Sequence, residues 1–146
     1  MLYPILIIIL IILIVAVVVL YNKLKNLDPS TGRALPGTST VVIDISVDNN
    51  GIPQQNYKEI ELLPGQNALF AGPDEFLIIF KNRKSPDNKI ENKSENGAVR
   101  IKIPDEILTE SEFVEEFRKN GFLRFDYAIS VNGKELDPPM IIRRER

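Results

Sequence analysis

The sequence predicts a mainly β fold: an antiparallel β-sandwich with one short helix, preceded by a single N-terminal transmembrane helix. Three observations carry this. Residues 5 to 20 form an unbroken apolar run. Several later segments alternate apolar and polar residues with a period of two, as strands with one buried face do. Turn signals separate those segments: Asn49-Asn50-Gly51, Pro64-Gly65 and Asn132-Gly133.

The apolar run spans Ile5 to Leu20, through Leu10 and Ile14, without a polar residue. It is too long for a strand and wants a helix. Tyr3 and Tyr21 bracket it, and at ~1.5 Å per residue they stand ~27 Å apart, close to the ~30 Å hydrocarbon layer. Both therefore fit interfacial anchors, and Lys23 and Lys25 just beyond can reach headgroups. Pro4 falls in the first turn, where its missing N–H costs nothing. Nothing basic precedes the run and Ala16 is its only small residue, a poor fit to a cleaved signal peptide. The run has no glycine and no ionisable group. It signals neither tight helix pairing nor ion conduction.

The chain divides into three parts. Residues 1–22 are the anchor, 23–39 a flexible linker rich in Pro, Gly, Ser and Thr, and 40–146 the sandwich domain. Val41, Ile43, Ile45 and Val47 alternate with polar residues in the first strand. Ile60 and Leu62 do so in the second, and Ala68–Phe70 is a short third. Glu75–Lys81 is apolar on both faces, as a central strand is. Residues 82–97 read as a long polar loop. Val99, Ile101 and Ile103 form another strand. Leu123, Phe125, Tyr127, Ile129 and Val131 share one face of the clearest strand, and Asn132-Gly133 is a type I′ hairpin signal. Two short strands, 134–136 and 140–143, finish the chain. The helix is expected after Thr109-Glu-Ser-Glu112, a capping box, with Phe113, Val114 and Phe117 as its apolar stripe. Asn120-Gly121 should stop it.

Composition removes whole classes of function. The 146 residues contain no histidine and no cysteine, and the net charge is −2. Disulfides, thiolate sites, the usual zinc or copper ligands and the usual general base are excluded. A nucleic-acid role has no electrostatic support. No cofactor and no metal are expected.

Two stretches, 59–82 and 121–146, resemble membrane-anchored or secreted cupredoxin-like domains. The ending Tyr127-x-Ile129-x-Val131-x-Gly133, followed by Leu136-Asp137-Pro138 and Met140-Ile141-Ile142, is similar to theirs. The resemblance implies a cupredoxin-like sandwich, with an immunoglobulin-like one as the alternative. It does not imply electron transfer here, because such copper centres use two His, a Cys and often a Met.

Candidate contacts are charged. The basic residues Lys81, Arg83, Lys84, Lys89 and Lys93 run through the long loop, and Glu112, Glu115 and Glu116 line the helix. Each set is either a partner surface or a solvated face with favourable dipole placement. The basic tail, Arg143 to Arg146, pairs with the acidic helix, meets lipid or is solvated. Asp44 and Asp48 share one strand face, either as a carboxylate pair or as ordinary exposed side chains. Asn92-Lys93-Ser94 is a glycosylation sequon. The expected function is a non-catalytic, single-pass accessory subunit of a larger membrane protein complex. Its partners are the lipid bilayer and other subunits. A self-standing ligand- or surface-binding domain is the alternative, and a carboxylate enzyme the third reading. Lys23 and Lys25 place the domain on the cytoplasmic side by the positive-inside rule. The family resemblance places it outside.

Overall fold

The computed structural model describes residues 2–25 and 29–145. An apolar helix, α1, runs over Leu2–Lys25. Eleven strands follow: β1 (Thr31–Gly32), β2 (Thr40–Val47), β3 (Pro53–Gln55), β4 (Glu59–Leu62), β5 (Asn67–Ala71), β6 (Leu77–Phe80), β7 (Glu91–Lys93), β8 (Ala98–Lys102), β9 (Leu123–Val131), β10 (Lys134–Leu136) and β11 (Pro139–Ile142). A 3-10 turn at Ile107–Thr109 and helix α2 (Val114–Asn120) lie between β8 and β9.

The strands make two layers. One sheet has the order β1-β4-β11-β9-β6-β7, with β10 also paired to β9; the other has the order β3-β2-β5-β8. This is the expected sandwich, but its sheets are mixed. The pairs β1·β4, β4·β11 and β2·β5 are parallel. A parallel pair needs a crossover, and here the chain crosses between layers to supply it.

One core fills the space between the sheets. The alternation read from sequence points the right side chains inward: Val41, Ile43 and Ile45 from β2, Ile60 and Leu62 from β4, and Leu123, Phe125, Tyr127, Ile129 and Val131 from β9. Val47 departs from its strand's pattern and is exposed. Phe70 meets Tyr127 edge-on at 5.4 Å between ring centres. The buried Tyr127 hydroxyl donates to Gln55 Oε1 at 2.9 Å. Burial pushes the Tyr127 phenol well above its ordinary pKa, and this hydrogen bond only partly opposes that.

Local chemistry sets the turns. Asn132 and Gly133 both have positive φ, as a type I′ hairpin requires. Gly121 ends α2 in the left-handed region, and its N–H donates to Phe117 O at 2.8 Å. The start of α2 differs from expectation. Helix α2 begins at Val114, with Phe113 at the cap position and no side-chain cap. Thr109 instead donates to Glu106 O at 2.9 Å. Burial of Ile107 and Leu108 against the core folds this stretch as a 3-10 turn, so Thr109 cannot reach the helix.

Two further segments differ. Residues 82–97 are organised rather than a plain loop: β7 pairs with β6, and the buried Ser94 hydroxyl accepts from Phe76 N and donates to Asp74 O. Within the stretch read as linker, Thr31–Arg33 joins the sandwich. Strand β1 pairs with β4, Thr31 is buried, and Arg33 bonds Glu61 through two nitrogens at 3.3 Å each. Only glycine fits at position 32, where a Cβ would lie 2.4 Å from the Tyr57 ring.

Candidate functional site

Helix α1 keeps its apolar surface outside the sandwich. Tyr3–Asn22 is long and apolar enough to cross a bilayer, and none of it is buried. Ile5, Leu10, Ile14 and Leu20 are each 54–62% exposed. Tyr3 and Tyr21 lie at the two ends of that span, both exposed. The Lys23 and Lys25 side chains lie outside the described residues.

The charged residues singled out in sequence go to different uses. Arg83 is taken up internally. Its guanidinium lies 5.6 Å from the Phe113 ring centre and 5.3 Å from that of Phe125, and its NH1 is 2.6 Å from Glu116 Oε2. Glu116 also accepts from Arg124 N at 3.2 Å. Arg83 and Glu116 thus clamp α2 to the sandwich. Three more members of the two sets pair with charges outside them. Lys81 pairs with Glu135 at 2.9 Å, Lys89 with Asp87 at 3.9 Å and Glu115 with Arg118 at 2.7 Å. The Glu135 hydrogen bond, reinforced by its charge, raises the Lys81 pKa.

Lys84, Glu112 and Lys93 have no ion-pair partner among the described residues. Lys84 and Glu112 line one surface depression of about 430 Å³, with Ser85, Asp87 and Glu110. Lys93 lines another, of about 420 Å³, with Arg100 and Glu95. The basic tail takes a route of its own. Arg143 lies 3.1 Å from Glu61 and over the Phe122 ring, and Arg144 lies over Phe117. It reaches α2 through an aromatic ring rather than through the acidic side chains.

Two expectations fare worse. Asn92 of the sequon is 8% exposed, and its Nδ2 is enclosed without a hydrogen-bond partner. The folded domain therefore does not present it to a glycosylating enzyme. Asp48 is a turn-former: its Oδ1 accepts from Asn50 N at 2.8 Å and Ile52 N at 2.9 Å. Asp44 is exposed on the strand.

Sequence reading missed the loop-bearing end of the sandwich as a unit. The β2–β3, β5–β6, β7–β8 and β9–β10 turns converge there. Lys134 Nζ donates to Asn50 O, and Gly72 N donates to Gly97 O at 3.0 Å. This end exposes Asp48, Asp74, Glu75, Glu95, Glu135 and Asp137 against Lys58, Lys93 and Lys134. Beside it, Ser30, Tyr57, Asp137 and Pro138 border a depression of about 430 Å³. Only the turn signals were visible in sequence; their meeting depends on strand order.

The copper group that the family resemblance brings to mind does not fit this donor set. Histidine and cysteine are absent from the chain. Met140 is wholly buried in the core. Among the described residues no group of three or more acidic side chains gathers to hold a metal.

No family model matches the chain, and no curated protein matches it. Solved structures do. One is described as a copper binding protein in the apo form, determined in solution. It shares 14% identity at a TM-score of 0.40, over 80% of this chain and 98% of its own. Another is the Cu-containing nitrite reductase (NirK) from Thermus scotoductus SA-01, at 12% identity and a TM-score of 0.46. The match covers 82% of this chain and spans only 27% of that enzyme's length. These likenesses concern fold, a mainly β two-sheet domain.

Proposed function

We propose that this chain is a non-catalytic, single-pass accessory module, anchored by α1 and presenting its β-sandwich to other subunits of a membrane complex. The observation that carries this is the wholly unburied span Tyr3–Asn22. Apolar surface of that length has no partner in the sandwich, and a bilayer supplies one. A filled core and the absence of histidine and cysteine support a non-catalytic reading. The surface assigned to the partner is the end carrying α2, where Lys84 and Glu112 flank one depression without ion pairs of their own.

Detergent solubilisation of the full chain from its native membrane, followed by native sizing, tests this. A species well above monomer mass is expected, and the double reversal Lys84→Glu with Glu112→Lys should release the monomer. A lone monomer from the unaltered chain contradicts the subunit role.

A further inference from the structure

Strands β7 and β8 are joined by a hairpin that opens after one rung. Glu95 and Ala98 exchange both backbone bonds, at 3.0 and 3.1 Å, around the Asn96-Gly97 turn. Beyond that rung the strands part, β7 into one sheet and β8 into the other. The hydrogen-bond phase of each strand follows from its other neighbour. Ser94 N donates to Phe76 O and Phe80 N to Ile90 O, so Ile90, Asn92 and Ser94 bond toward β6. Ile103 N donates to Gln66 O and Gly72 N to Gly97 O, so Gly97, Val99, Ile101 and Ile103 bond toward β5. In an antiparallel ladder the residues between turn both N–H and C=O the other way. Lys93 of β7 and Arg100 and Lys102 of β8 therefore face the opening with backbone groups that no described strand takes up. Such an open edge is a template for a further strand.

The side chains say what that strand should carry. A depression of about 420 Å³ lies between β7 and β8, lined by Lys89, Lys93 and Arg100 against Glu91 and Glu95. Asn92 sits in its wall, 8% exposed, with its Nδ2 lacking an acceptor. Buried amide donors are nearly always partnered, and an acceptor on an incoming chain would supply the missing bond. Continuing the Glu95–Ala98 register puts Lys93 level with Arg100. Neither closes an ion pair among the described residues, nor does Lys102 two residues on. A carboxylate entering between Lys93 and Arg100 meets two unpaired cations, although the whole chain carries a net charge of −2. The same cations disfavour β8 of a second copy, which would bring Arg100 and Lys102 against their own kind.

We propose that this cleft takes up an extended acidic segment of another protein, added as a strand to the β8 edge with a carboxylate between Lys93 and Arg100. The cleft is separate from the Lys84–Glu112 depression at the α2 end, and its use requires neither that surface nor the anchor.

Fluorescence anisotropy on the full chain in non-ionic detergent tests this, with dye-labelled Val-Thr-Glu-Thr-Val as the probe. Saturable binding is expected. It should weaken at least tenfold when the central Glu of the probe is replaced by Lys, when the probe's backbone amides are N-methylated, and in the exposed-site variant Arg100→Glu. The double reversal Lys84→Glu with Glu112→Lys should leave it unchanged. Absence of saturable binding overturns the proposal. Equal binding of the N-methylated probe does so too, because charge attraction alone would then suffice. Undiminished binding to Arg100→Glu, or loss of binding in the double reversal, places the peptide elsewhere and also overturns it.

Discussion

The same residue types meet opposite fates in α1 and in the sandwich core. Ile8, Ile11 and Ile14 of α1 are 54–56% exposed, whereas Ile43, Ile60, Ile78 and Ile129 are wholly buried. Periodicity separates them. A run apolar on every side has no inward face to offer a small domain, and only an apolar solvent covers it. Strands that alternate have one face to bury and one to wet, and two sheets cover each other. Burial of the core is therefore set by packing shape, and on the anchored reading coverage of α1 is set by the bilayer.

That contrast can be broken from either side. The largest effect belongs to Phe125→Ala, which empties a site walled by Phe80, Phe113 and Arg83. A loss of about 3–5 kcal/mol is expected in urea unfolding of the full chain in detergent, with membrane retention unchanged. Ile12→Arg does the reverse. It should cost about 2.5–3.5 kcal/mol of insertion free energy, read as the fraction resisting alkaline extraction, and leave the urea midpoint where it was.

Arg83→Ala sharpens the comparison at the clamp. It removes two ring contacts and leaves Glu116 unpaired, so about 1–2 kcal/mol should be lost in the same unfolding experiment. Arg83→Lys should recover little of it, because the ammonium lacks the planar face that lies over Phe113 and Phe125.

Tyr127→Phe removes one hydrogen bond to Gln55, for about 1 kcal/mol at neutral pH. Its larger signature is in alkali. The unfolded phenol ionises near pH 10, whereas the folded one is held protonated beyond that. The native state then binds the extra proton, and stability falls as pH rises above about 10. Unfolding curves between neutral pH and pH 11 should show the wild-type slope flattened in Tyr127→Phe.

Much of the fold was legible because its strands alternate. Strand β9 carries five inward residues in strict alternation and could be read directly. Strand β3 could not. Pro53-Gln54-Gln55 has no apolar face, and what makes it a strand is its pairing with β2 and the reach of Gln55 to Tyr127. Thr109 misled for a related reason: a local capping signal lost to burial of Ile107 and Leu108. The candidate site was less legible. Charges can be named from sequence, but Arg83 joining Glu116 and Arg33 joining Glu61 are long-range pairings that strand order decides. Lys84 and Glu112 share one depression but close no ion pair among the described residues, and their meeting there, too, depends on the fold.

The central claim, that α1 stays on the chain as a membrane anchor, is tested most directly by the intact mass of the protein recovered from alkali-washed membranes. The anchored reading predicts the full chain, with the Tyr3–Asn22 span intact, in the membrane pellet. A protein released by alkali, or one whose mass begins beyond Leu20, would contradict it.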